Sequence, residues 1–80
     1  MKKPWDSVKA RLLDEAFYGH DAAILTAEQD LPRSGLLDSL AMVVVVEILA
    51  DMSENESVLM EARQSDLRSF ESIRALYDRL

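Results

Sequence analysis

Ser34-Gly35-Leu36-Leu37-Asp38-Ser39-Leu40, running straight into Ala41-Met42-Val43-Val44-Val45-Val46-Glu47-Ile48-Leu49, decides how this chain folds. A glycine-containing loop ends at an acidic residue and a hydroxyl, and the most apolar helix candidate in the chain begins there. Asp38 can accept a hydrogen bond from the first free backbone amides, and Ser39, one position on, sits at the positive end of the helix dipole. A phosphate carried on that hydroxyl would be favoured by the same field. The valines at 43–46 pull the other way, because four stiff, branched side chains in a row have the local preference of a strand. The cap at Asp38, the helix formers Leu40, Ala41, Met42, Glu47, Leu49 and Ala50, and a length beyond that of an ordinary buried strand decide for a helix over 39–52. Leu40, Val43, Val46, Ile48 and Leu49 read as its inner side. Ala41, Val44, Glu47 and Asp51 read as its outer side, with Ser39.

Outward from this helix, the flanking segments read as helices too. Pro4 suits a first helical turn, and Trp5, Val8, Leu12 and Ala16, joined by Leu13 and Phe17, form an apolar stripe over 4–18 that Gly19 should end. The connection over 21–38, broken by Pro32 and Gly35, is long for a small domain and must pin itself down. Ile24, Leu31 and Leu36 are expected to point inward, and residues 26–30 to form a short helical turn. After a polar break at 53–57, Val58, Leu59, Met60 and Ala62 predict a short third helix over one end of the core. Ser69 reads as the cap of a last helix, with Glu71 in its first turn, Leu67 anchoring its entry, Arg74 and Arg79 toward its end, and Phe70, Ile73, Leu76, Tyr77 and Leu80 on its apolar face. The expected fold is all-α: a small four-helix bundle of three principal helices and one short one, in a single domain over 1–80.

Composition narrows the function. A chain of 80 residues hides only about 60 to 68% of the surface it exposes unfolded, room for one small core and no deep cleft. There is no cysteine, hence no disulfide and no thiolate metal site, in keeping with a reducing, cytoplasmic setting. No apolar run is long enough to span a membrane. The net charge of -6 is unevenly spread. Residues 1–13 hold four basic and one acidic residue, 14–53 one basic and eight acidic, and 54–80 four basic and six acidic. Nucleic acid would be repelled by the acidic middle, and partners should present basic or apolar surfaces. His20 is the only histidine; lying in a loop, with no second histidine or cysteine, it is assigned no role.

Leu37-Asp38-Ser39-Leu40, near the middle of a short acidic helical chain, resembles the phosphopantetheine attachment site of the acyl and peptidyl carrier proteins. The resemblance implies that Ser39 carries a 4'-phosphopantetheine arm, transferred from coenzyme A by a phosphopantetheinyl transferase, with Asp38 and Leu40 as the flanking pair. It further implies a carrier that does no bond chemistry itself, a monomer that takes an acyl or aminoacyl group from an adenylating ligase and delivers it to downstream enzymes. Ala41, Val44, Glu47 and Asp51 would be the partner-binding face. Fatty-acid carriers usually line this helix with carboxylates; here Ala41, Val44 and Ala50 stand in such places, so the pattern looks more like the stand-alone aminoacyl and D-alanyl carriers and the peptidyl carriers of specialised metabolism. Many relatives also have an aromatic residue, a glycine and a proline after the helix, all lacking at 53–57. The plainer alternative is an acidic helical interaction module in which Asp38 and Ser39 only cap a helix. A hydrolase with Ser39 as nucleophile would need His20 as its base, in a domain with little to hold a triad.

Overall fold

Pro4, in extended conformation, starts helix α1 (Trp5–Arg11), and a wider π turn (Leu12–Ala16) continues it before the chain breaks at Phe17. The computed structural model describes residues 2–80. Leu12 and Phe17 are five apart, about 140° around a regular α-helix, yet both point into the core. The π turn reconciles them: the Phe17 amide donates to the Leu12 carbonyl at 3.0 Å, and both side chains are fully buried with Val8. Trp5, Leu13 and Ala16 pack half-buried around them, and Gly19, at φ 86°, turns the chain away.

The connection to the long helix holds two short helices where one turn at 26–30 is expected. Helix α2 (Ala22–Ala27) starts earlier because Asp21 caps it, accepting from the Ala23 amide at 2.8 Å. That start sets its phase, so Leu25 is buried, and Ile24, expected to point inward, is 60% exposed. Helix α3 (Leu31–Ser34) is capped by Asp30 and has Pro32 in its first turn. Leu31 is buried as expected, and Leu36 is half-buried against the core.

Helix α4 (Ser39–Ser53) is the longest element, and among the described residues there is no strand. Its inward face differs from the sequence reading. Val45, Ile48, Leu49 and Ala50 are buried, with Ala41, Met42, Val44, Val46 and Met52 packed half-buried beside them. Leu40 and Val43, read as inner, are exposed, while Ala41 and Val44, read as outer, are half-buried. A helix that is apolar nearly all round has no phase of its own; the π turn and α1 packed along it choose the buried side.

Glu54, at φ 56°, ends α4 in the left-handed conformation that glycine usually supplies. Helix α5 (Val58–Glu61) buries only Val58, so the third helix covers the core with less than expected: Leu59 and Met60 face water. A 3-10 turn (Gln64–Leu67) buries Leu67 and leads into α6 (Phe70–Asp78), where Ser69 caps by accepting from the Ser72 amide at 3.1 Å. Phe70, Ile73, Leu76 and Tyr77 are buried as read, and Phe70 meets Phe17 at a ring separation of 5.3 Å, closing the last helix on the first.

Tyr77 ties down the amino-terminal segment. Its hydroxyl is shared between the carbonyls of Lys3 and Met52, and the Lys3 amide donates to Met52 at 2.8 Å. Removing the hydroxyl in Tyr77→Phe strands the Lys3 carbonyl and should cost about 1 kcal/mol in urea unfolding at neutral pH. Burial raises the Tyr77 pKa above its usual 10.0. The fold therefore prefers the neutral phenol, a contribution complete below pH 10 and lost as pH rises through the raised value. The stability gap to Tyr77→Phe should close in alkali; a gap that stays constant would refute the assignment.

Candidate attachment site at the start of helix α4

Ser39 is presented by a loop fixed on both sides by buried leucines. Gly35, at φ 86°, ends α3 and reverses the chain; the Leu37 amide donates to the Leu31 carbonyl at 3.2 Å, and both side chains are buried. The Leu31 amide in turn donates to the Arg68 carbonyl at 2.6 Å, and Arg68 pairs with Asp30 at 3.4 Å, fastening the loop to the entry of α6. With Leu37 pegged inward, Asp38 leaves in extended conformation with φ -87° and ψ 178°. Its Oδ1 accepts from the Ala41 amide at 2.8 Å, and its carbonyl accepts from the Met42 amide at 2.9 Å.

Ser39 is the first residue of α4 and is exposed, as are Asp38 and Leu40 on either side. Among the described residues its hydroxyl has no side-chain hydrogen-bond partner, His20 included. The amides of the first turn that have no partner within the helix concentrate positive potential there. An exposed alcohol beside such amides suits a phosphodiester, whose negative charge they would stabilise. The residues fit an attached phosphopantetheine arm on these grounds. Asp38 matters to this geometry through the cap: Asp38→Ala should lower stability by about 1 kcal/mol, a fall of about 4 to 8 °C in Tm for a domain this size, with Asp38→Asn restoring most of it.

The four residues read as the partner face are not equivalent. Glu47 is exposed, whereas Ala41 and Val44 lean into the core. Asp51 is exposed but engaged by Arg11 at 2.5 Å, and Arg11 also holds Glu15 at 2.7 Å. These hydrogen bonds, the one to Asp51 foremost, raise the Arg11 pKa. The pair bridges α1 and α4 at the surface, where such contacts are worth about 1 kcal/mol or less.

A shallow groove of about 260 Å³ runs between α4 and the segment from α5 to the 3-10 turn, lined mainly by Met42, Val43, Val46, Leu59, Ala62 and Leu67. The sequence reading did not find it, because it requires Val43 to face out and Leu59 to lie opposite. Along α4 a second cleft is walled by Glu47, Asp51, Glu54 and Glu56. Among the described residues no group of three or more His, Cys, Asp or Glu is placed to hold a metal ion, and no helix is long and apolar enough to cross a membrane. No protein-family model matches this chain, and comparison with curated proteins and with solved structures returned no match.

Proposed function

We propose that the chain is a phosphopantetheine-dependent carrier, with Ser39 as the attachment point and Asp38 and Leu40 flanking it. The observation that carries this reading is an exposed serine hydroxyl at the amino terminus of the longest helix, held there by the Asp38 cap and the buried Leu37. In the transfer, the Ser39 oxygen forms a phosphodiester, the pyrophosphate bond of coenzyme A breaks, and adenosine 3',5'-bisphosphate leaves; a separate phosphopantetheinyl transferase supplies the base that takes the serine proton. When attached, the arm supplies a thiol that holds an acyl or aminoacyl group as a thioester, so that each docking event delivers a tethered substrate at raised effective concentration.

The chain's own task is to present Ser39 and to release each partner, which suits a small, transient interface. An adenylating ligase would load the arm, and downstream acyl- or aminoacyl-accepting enzymes would unload it. An aminoacyl or specialised acyl cargo is preferred over a long fatty chain, since α4 shows partners few carboxylates. The bundle is read as carrier-like, working in the cytoplasm as a monomer and catalysing nothing itself.

The test is to incubate the purified chain with coenzyme A and a broad-specificity phosphopantetheinyl transferase and record the intact mass. The expected result is a gain of one phosphopantetheine; a folded sample that gains nothing sinks the reading. One observation favours the other class, an acidic interaction module without a covalent group: Leu40, Val43 and Met60 lie open to solvent on neighbouring helices. Such a module would bind its partner as well after loss of the Ser39 hydroxyl.

A further inference from the structure

Ser39 is reached through a turn that closes on one carbonyl. The Leu31 oxygen accepts from the Ser34 hydroxyl at 2.9 Å and from the Leu37 amide at 3.2 Å, and the Leu36 amide donates to the Ser34 hydroxyl at 3.3 Å. Residues 31–37 are thereby joined end to end, and Asp38 and Ser39 leave from the last of them. Asp30 stands at the head of the turn with its carboxylate divided. Its Oδ1 accepts from the Arg33 amide at 3.3 Å and caps α3, while its Oδ2 accepts from the Arg68 guanidinium at 3.4 Å. The Arg68 carbonyl accepts in turn from the Leu31 amide. One residue at the entry of α6 therefore holds the turn twice, through its main chain and through its side chain, with Leu31 and Leu37 buried on the inner side.

Stability is a poor explanation for the side-chain half of this grip. Arg68 and Asp30 keep 57% and 30% of their side chains exposed, and an ion pair so placed adds little to folding. What it adds is direction. The core holds the two leucines from beneath by apolar contact, which has no preferred angle, whereas a guanidinium bonded to a carboxylate has one. We propose that Arg68 and Asp30 are positioning residues for the reaction at Ser39: they orient the turn that presents the hydroxyl, so that its oxygen meets the phosphorus of coenzyme A in line with the breaking bond. This rests on the carrier reading. The acceptor oxygen has to stand about 3 to 3.5 Å from the atom it attacks, and a displacement of about 1 Å set by a distant substitution can cost about a hundredfold in rate. With the leucines still seated, loss of the pair should cost less than that.

The test is steady-state modification of the full chain by the transferase, with the chain as the varied substrate, together with hydrogen exchange at the Leu37 amide. Arg68→Met keeps the length of the side chain and loses the guanidinium. It should lower kcat about tenfold, with KM within about twofold and the urea midpoint close to wild type, and speed exchange at Leu37 about tenfold. Asp30→Asn, which retains an acceptor for the Arg33 amide, should lower kcat in the same direction. The double variant should be no slower than Arg68→Met alone, because the second substitution breaks a contact already lost. Arg68→Lys, which restores a cation, should recover part of kcat. Asp66→Asn is the control: Asp66 lies in the same 3-10 turn but pairs with Arg79 at 3.2 Å, and its loss should leave kcat and Leu37 exchange unchanged. A folded Arg68→Met with kcat unchanged, or with Leu37 exchange unchanged, overturns the proposal while the carrier reading stands. A raised KM with kcat intact overturns it too, making Arg68 a contact for the transferase. An equal fall in kcat in Asp66→Asn overturns it by reducing the effect to general loosening. A wild-type chain that is never modified removes the carrier reading itself, and the positioning role with it.

Discussion

Ser39→Ala should abolish the mass gain on incubation with coenzyme A and transferase while leaving helix content and urea midpoint at the wild-type values. The two halves of this result have separate causes. The hydroxyl is the proposed acceptor of the phosphoryl group, and no neighbouring group can stand in for its oxygen, so the loss is complete. The side chain is exposed and its hydroxyl has no side-chain partner among the described residues, so truncation removes no packing. Alanine is also the strongest helix former, and the Asp38 cap, which accepts from the Ala41 amide, is left intact. The stability change should therefore lie within about 0.5 kcal/mol. Intact mass and a urea titration on the same preparation give both numbers. An alanine variant that still gains one phosphopantetheine would place the acceptor on another hydroxyl. Full partner binding by an alanine variant, with no mass gain in the wild type, would favour the interaction module.

The capped ends of the helices were legible because capping is local. Asp38 and Ser69 act on amides three residues ahead, so residue type and spacing are enough to find them. The last helix was legible for a related reason: Phe70, Ile73, Leu76 and Tyr77 repeat at helical spacing against Glu71, Arg74 and Asp78, so only one side can be buried. Asp21 was equally local and was missed; its bond to the Ala23 amide moves the second helix forward and turns Leu25 inward in place of Ile24. The π turn at Leu12–Ala16 left no local mark. It exists because Leu12 and Phe17 both gain by burial against α4 and α6, a tertiary gain that outweighs a poorer backbone ladder. The candidate site divides the same way. Asp38 and Ser39 follow from the chain around them, whereas the exposed side of α4 depends on which half its neighbours cover.

Val45→Asp should unfold the protein, or nearly so, whereas Val43→Asp should leave it folded with a change of no more than about 1 kcal/mol. Val45 is fully buried, and an unpaired carboxylate there costs several kcal/mol whether it stays charged or takes up a proton. A domain of this length holds only about 4 to 12 kcal/mol in total. Val43, 53% exposed, keeps its substitute in water. The milder pair guards against a result that says only that aspartate is harmful. Val45→Ala removes two buried carbons and should cost about 2 kcal/mol, while Val43→Ala trades a branched residue for a better helix former and should be neutral or stabilising by about 0.5 kcal/mol. Opposite signs two residues apart exclude the alternative that the valine run most invites. In a strand, residues 43 and 45 share a face and would respond alike, whereas in a helix they lie about 200° apart. The pair also fixes the phase: with Val43 facing the core, as periodicity alone reads it, the signs would exchange.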